Sequence, residues 1–290
     1  MHARVVAATA AAVLGCVALL SPVRDARAGT AVRPAVIAHR GASAYAPENT
    51  LDAVDKAASL GALWVENDVQ RTEDGELVVI HDDTLRRTTD AEDVFPGRAP
   101  WKVKDFTGAE IARLDAGSWF GAAYRGARVP TLEAYLDRVE HHHQKLLLEV
   151  KNPELYPGIE QQILKALGNE GWLDRRHLAN RLIVQSFSAA SLRTVHRLKP
   201  GVRTGLLGTP PVRDLRQYAG YADLINPSHT ALSPAYVDAV HALSGPHGTP
   251  MRVFAWTVDD AATARTVAGY GVDGVITDKA DVVRRALYRY

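Results

Sequence analysis

The sequence predicts an α/β fold, a (β/α)8 TIM barrel with a small insertion after its second strand and hairpin. Three observations lead there. Eight short apolar runs recur through the chain, most of them followed by a helical pattern, and continuous apolar runs mark parallel strands buried on both faces. That rhythm fills about 255 residues, the usual length of such a barrel. The competing architecture, a doubly wound sheet, usually carries a glycine-rich phosphate loop, and Gly205-Leu206-Leu207-Gly208 is too sparse for one.

The expected strands are Ala35–His39, Leu63–Gln70, Lys145–Val150, Arg181–Ser186, Arg203–Leu207, Asp223–Asn226, Met251–Thr257 and Gly274–Thr277. Asn49 is the expected cap of a helix over Thr50–Leu60, with Leu51, Val54, Ala57 and Ala58 on one face. Thr131 caps Leu132–Val139, and Ile159–Leu167, Ala189–Leu198, Pro234–Leu243, Ala261–Ala268 and Asp281–Tyr288 read as further helices. One run breaks the rhythm. Glu76–His81 follows the Asp74-Gly75 turn with no helix before it, so it reads as a hairpin arm over the second strand. The segment 83–130 then forms the insertion. It is rich in Gly and Pro, and its aromatics Trp101, Trp119, Phe120 and Tyr124 suggest that it packs and partly covers the site.

Residues 1–28 read as a secretory signal peptide. A short basic start precedes the apolar stretch from Val5 to Leu20, and Ala26-Arg27-Ala28 offers a cleavage site before Gly29. The apolar stretch is short for a membrane span, which needs about 20 residues. A lipoprotein signal ending at Cys16 fits less well, because apolar residues continue past it. The expected product is a secreted single domain, residues 29–290, with no cysteine. The whole chain carries a formal charge of +1, and loss of the leader leaves it near neutral. Neither state suggests nucleic acid or an anionic membrane as a bulk partner. No later stretch is long and apolar enough to span a bilayer.

The chemistry lies at the strand ends, where an α/β fold keeps it. Glu66 and Asp68 sit two apart on one strand, so their side chains share a face. Two carboxylates there repel unless a proton, a cation or a salt bridge intervenes. Glu149, at the end of the next barrel strand, can complete a set of hard oxygen ligands for a divalent cation. His39 and His81 can move protons near neutral pH. Arg40 and Lys151 place positive charge where an anionic substrate would sit. Together these residues point to metal-assisted phosphoester hydrolysis.

The motifs "AHRGASAYAPENT" (38–50), "ENDVQRTEDGELVVIHDDTLRRTT" (66–89), "RVPTLEAYL" (128–136), "LLEVKNP" (147–153), "VQSF" (184–187), "FAWTVDD" (254–260) and "GVDGVITDKAD" (271–281) stand in one order across nearly the whole mature chain. In that set and order the chain resembles the glycerophosphodiester phosphodiesterase family. The resemblance implies a TIM barrel whose insertion after the second strand falls at 83–130. It implies His39 and His81 as catalytic histidines, Glu66, Asp68 and Glu149 as metal ligands, Arg40 and Lys151 as phosphate contacts, and Trp256 in the substrate pocket. The implied activity is metal-dependent hydrolysis of small glycerophosphodiesters to sn-glycerol 3-phosphate and an alcohol. Wall teichoic acid and phospholipid-derived diesters are further candidate substrates. The implied ion is Ca²⁺ or Mg²⁺. Ca²⁺ is favoured because an extracellular protein meets it in abundance and flexible carboxylate geometry accepts it. The chain departs from the family at Asn67, where an apolar residue is usual. That side chain would face the helices and need hydrogen-bond partners there.

Two other classes fit parts of the pattern. A sphingomyelinase D or phospholipase D-like lipase shares the His-Arg-Gly and Glu-x-Asp arrangement, but the insertion is not conspicuously apolar. A non-catalytic cell-wall or carbohydrate-binding protein would not need all seven polar residues. His141-His142-His143 reads as a solvated helix end. Asp259-Asp260 reads as the acidic start of a helix, and Trp64 and Trp172 read as packing residues.

Overall fold

A computed structural model of the chain describes residues 33–288; the expected signal peptide lies outside them. The strands are β1 (Ala35–Ala38), β2 (Trp64–Arg71), β3 (Leu77–Val79), β4 (Lys145–Val150), β5 (Leu182–Ser186), β6 (Arg203–Leu207), β7 (Leu224–Asn226), β8 (Arg252–Ala255) and β9 (Gly274–Thr277). Eight of them run parallel in the order β1-β9-β8-β7-β6-β5-β4-β2, and pairing of β1 with β2 closes the barrel. The ninth, β3, runs antiparallel on the outer end of β2 as a hairpin arm. Thr72 and Glu76 close that hairpin, with the Thr72 N–H donating to the Glu76 carbonyl at 2.9 Å. Among the described residues, no helix is long and apolar enough to cross a membrane.

Alternation along the strands divides the core in two. Ile37, Trp64, Leu147, Ile183, Leu224, Phe254 and Ile276 point inward and fill the barrel. Their strand neighbours Val65, Leu146, Leu148, Val184, Ile225, Val253 and Val275 point outward, against the apolar faces of the surrounding helices. Trp64 is thus a packing residue, as is the buried Trp172. Because the side-chain period is two, Glu66, Asp68, Glu149 and Gln185 share the inward face with this apolar layer, one or two steps nearer the C-terminal mouth.

Several boundaries differ from the sequence reading. β1 ends at Ala38 because Arg40 turns into the left-handed region, φ 53°, although the His39 N–H still bonds the Thr277 carbonyl at 2.9 Å. The seventh expected run stops at Ala255. Beside it β7 ends at Asn226, and Pro227, which follows, has no N–H to extend a ladder. Asn49 is not the helix cap. Thr50 holds that place on the helix Leu51–Ser59, its Oγ1 accepting from the Ala53 N–H at 3.2 Å. The helix Arg175–Asn180, capped by Asp174, was not expected.

The inserted segment has a core of its own. Leu85, Ala91, Val103, Phe106, Ile111 and Leu114 pack on Val78 and Ile80 of the hairpin arm. Its Tyr124 donates to the Tyr45 carbonyl at 2.6 Å and so ties the insertion to the loop after β1. None of its aromatics is among the residues that line the cavity at the barrel mouth.

Candidate active site

The turn after β1 sets the first two groups. Gly41 has φ +79°, and a Cβ there would lie 2.6 Å from the Ala53 Cβ, so only glycine lets the loop press against the following helix. The turn aims the Arg40 N–H at Glu66 Oε2, 2.9 Å away. The Arg40 guanidinium donates to Glu48 Oε1 at 2.9 Å and stands 3.5 Å from Asp68 Oδ2.

Register brings the carboxylates together. Asp68 pairs directly with Glu149 across β2 and β4, and each of Glu66, Asp68 and Glu149 offers an oxygen within 4.8 Å of the others. All three are buried. Burial, then the negative charge of Asp68, pushes the pKa of both glutamates up towards neutrality. Burial would raise Asp68 as well, but Lys151, Arg40 and His81 outweigh it and hold that group ionised. Lys151 donates to Glu149 Oε1 at 2.9 Å and lies 3.5 Å from Asp68 Oδ1. Asn49, the displaced cap, donates to Asp68 Oδ2 at 2.9 Å. Three converging oxygen donors, short of cations for their number and buried together, fit a hard divalent ion.

Each histidine is tethered by a carboxylate. His39 Nδ1 lies 2.6 Å from Asp278 Oδ1, which also accepts from Ser43 Oγ at 2.9 Å. His81 Nδ1 lies 2.7 Å from Asp82 Oδ1. Both aspartates are held below the usual carboxylate range: Asp278 against burial by its bonds to His39 and Ser43, Asp82 chiefly by Arg87. An ionised carboxylate only accepts, so Nδ1 is the donor in each pair and Nε2 is left for a ligand. The imidazoles then diverge. Burial opposes charge on His39, but the Asp278 bond and the Glu66 charge outweigh it and raise its pKa. Burial lowers that of His81, helped by Arg40 and Lys151 against the pull of Asp68 and Asp82.

The far side of the mouth is neutral. Trp256 Nε1 donates to the Asn226 carbonyl at 2.7 Å, Asn226 Nδ2 to Gln185 Oε1 at 2.9 Å, and Gln185 Nε2 to Glu66 Oε1 at 3.3 Å. Gly205 makes room for this relay: a Cβ on it would stand 2.9 Å from Asn226 Nδ2. Phe187 meets Trp256 edge to face, ring centroids 5.9 Å apart. A cavity of about 100 Å³ opens between the two sides, lined by all eight residues proposed from sequence and by Gln185, Phe187 and Ile276 among others.

Comparison with known proteins gives this arrangement its context. Residues 39–282 match the model of the glycerophosphoryl diester phosphodiesterase family. The chain belongs to that family. A glycerophosphodiester phosphodiesterase of Bacillus subtilis is 34% identical over 289 residues, 94% of each chain. One from Caldanaerobacter subterraneus subsp. tengcongensis is 37% identical over 257 residues, 86% of this chain and 95% of its own. Among solved structures, an Oleispira antarctica phosphodiesterase in complex with the product sn-glycerol-3-phosphate superposes with a TM-score of 0.72 at 29% identity, over 88% of this chain and 96% of its own. The protein is a glycerophosphodiester phosphodiesterase, and its barrel is the one that such enzymes share.

Within this candidate site, His39, Arg40, Glu66, Asp68, His81, Glu149, Lys151 and Trp256 converge on one mouth. Sequence reasoning left several neighbours without a role. Asp278 follows β9 and reaches His39 only because β9 pairs with β1. Gln185 and Phe187 lay in the quoted motif "VQSF", and their strand-end position was the available signal. Asp259 does not start its helix. It accepts from the Asp278 N–H at 2.8 Å, while Asp260 is the cap. His142 of the histidine run bonds Asp55 at 2.7 Å, outside the site.

Proposed function

We propose that the enzyme cleaves small glycerophosphodiesters to sn-glycerol 3-phosphate and an alcohol, with one divalent cation held by Glu66, Asp68 and Glu149. The observation that carries the reading is the meeting of these buried carboxylates with two aspartate-tethered histidines in one cavity. The Oleispira relative, whose complex contains sn-glycerol-3-phosphate, supports the product. When bound, the cation would offset charge on the nonbridging phosphate oxygens.

The chain's own residues do the rest. Arg40 and Lys151 attract the phosphate and balance its charge. His39 and His81 divide the proton work at Nε2: one takes the proton of the attacking oxygen and the other gives one to the leaving alcohol. Which histidine acts as base depends on the loaded site, since a cation on Glu66 removes part of what raises the His39 pKa. Trp256 and Phe187 give the glycerol or alcohol an apolar wall. Ca²⁺ is our choice over Mg²⁺, because three carboxylates on separate strand positions form a flexible oxygen set that tolerates the larger ion.

The test is turnover of glycerophosphocholine, glycerophosphoglycerol and a teichoic acid fragment, before and after chelation and on adding back each ion. Loss of turnover on chelation, with circular dichroism unchanged and recovery on Ca²⁺, is the expected result. Full activity after verified metal removal overturns the metal reading. Product analysis decides between release of glycerol 3-phosphate and of a different half. The sequence also supports export with cleavage before Gly29, and the intact mass of exported protein tests this against a lipidated Cys16.

A further inference from the structure

We propose that Arg87 is a positioning residue with two arms: through Asp82 it orients His81, and through Glu48 it orients Arg40. The proposal rests on the reading of His81 and Arg40 as participants in the reaction.

Arg87 lies six residues beyond His81, in the first stretch of the inserted segment, and its guanidinium engages two carboxylates at once. Nε donates to Asp82 Oδ2 at 2.7 Å and Nη2 to Asp82 Oδ1 at 2.9 Å. Nη1 and Nη2 donate to Glu48 Oε2 and Oε1, both at 2.7 Å. Each carboxylate passes the hold on. Asp82 Oδ1 meets His81 Nδ1 at 2.7 Å, and Glu48 Oε1 receives Arg40 Nη1 at 2.9 Å. A continuous chain therefore runs His81–Asp82–Arg87–Glu48–Arg40, and Arg40 in turn touches Glu66 through its backbone N–H.

Only a planar fork with donors on two edges can satisfy four carboxylate oxygens in this way. The side chain is 44% exposed, so its loss opens no cavity in the core. What its loss does is leave Asp82 and Glu48 as two acids without the cation between them, free to rotate away from each other. His81 then loses a fixed Nδ1 partner, and Arg40 is drawn towards the remaining charge of Glu48. The inserted segment thereby contributes to the reaction through an arginine, although its aromatics do not reach the cavity. The backbone of His81 is pinned independently: Gln70 Nε2 donates to the carbonyls of Ile80 at 2.9 Å and His81 at 3.1 Å. Loss of Arg87 should therefore loosen the imidazole without moving the chain that carries it.

The experiment measures kcat, KM and thermal midpoint for Arg87→Met and Arg87→Lys, each in wild-type and His81→Ala backgrounds, with saturating divalent cation. Arg87→Met should lower kcat about 10–100-fold, by analogy with the loss of an outer partner of a metal ligand, and raise KM through the Arg40 arm. Arg87→Lys should recover little, because a point charge cannot span both carboxylates. In the His81→Ala background the same change should leave kcat within about two-fold yet still raise KM. A residue that only braces the insertion would lower the thermal midpoint and cut kcat by the same factor in both backgrounds, which overturns the proposal. So does wild-type behaviour of Arg87→Met while His81→Ala is impaired. If His81→Ala itself turns over normally, the catalytic reading of His81 falls, and the first arm falls with it.

Discussion

The barrel mouth has two unlike halves. On the side of β1, β2, β3 and β4 nearly every polar group is ionised or poised to be: His39, Arg40, Glu66, Asp68, His81, Glu149 and Lys151 stand in one cluster. On the side of β5, β7 and β8 the polar groups are amides and an indole, Gln185, Asn226 and Trp256, joined in a neutral relay. On the proposed reading the charged half would serve the phosphate and a cation, whose charges need fixed partners. The neutral half offers shape and hydrogen bonds without adding a further charge to a crowded site. Gln185 is where they meet, since its amide reaches Glu66 at 3.3 Å.

If the charged half does the chemistry, its histidines should be the most costly to lose. His39→Ala and His81→Ala should each lower kcat by roughly 10²–10⁴-fold, with metal affinity and circular dichroism near wild type. The double variant should cost far less than the product of the singles, because the two act as a unit. Steady-state kinetics on an alkyl diester and on one with a p-nitrophenol leaving group would assign the roles, since only loss of the acid is relieved by the better leaving group.

A change in the neutral half should act more weakly, and by a different route. Gln185→Leu removes a partner that orients Glu66. It should weaken metal binding about 10–100-fold, the range seen for such outer partners, and excess cation should restore most of the activity. Calorimetric titration checks this. A loss of kcat that no cation concentration rescues would mean that Gln185 contacts substrate instead, and would erase the division between the halves.

The charged half was legible in the sequence because its members follow one another closely: His-Arg-Gly, Glu-x-Asp, His-Asp and Glu-x-Lys each lie within three residues. The eight barrel strands were legible as apolar runs for the same local reason. What local pattern could not reveal were partners made by closure. Asp278 and His39 are 239 positions apart, and nothing near Asp278 in sequence announces an imidazole. The Asn49 assignment failed because two capping residues stand side by side; Thr50 took the helix, and Asn49, with φ 61°, turned to Asp68. Arg87 sits in an irregular segment that gives no periodicity from which to place it.

The charged half should also carry a stability cost that the neutral half lacks. Burial and the charge of Asp68 raise the pKa of Glu66 and Glu149 in the folded protein. Between the ordinary carboxylate range and those raised values the folded state binds protons that the unfolded state has released. Stability of ion-free enzyme from these two groups is therefore fully present at low pH and lost as pH rises towards neutrality. The thermal midpoint of chelated protein should fall over that interval, and the shift on adding Ca²⁺ should grow with pH. A Ca²⁺-induced shift that is the same at pH 5 and pH 8 would show that burial and the charge of Asp68 do not raise the pKa of these glutamates.

The smallest effect should come from the opposite face of the same strand. Glu66 and Asp68 point into the mouth, whereas Asn67 between them points out with Val65 and Val69, at 0% exposure. The expectation that its amide would need partners there meets a plain outcome: neither Oδ1 nor Nδ2 has one. An unpaired buried polar group costs about 1–3 kcal/mol, and a β-branched apolar residue of similar size suits this site between strand and helix. Asn67→Val should raise stability by about 1–2 kcal/mol in denaturant titration while kcat and KM stay at wild type, because the inward face is untouched. A fall in stability would mean that the amide has partners the unpaired geometry does not reveal. A change in kcat would mean that the two faces of β2 are mechanically coupled, and that the carboxylates depend on what packs behind them.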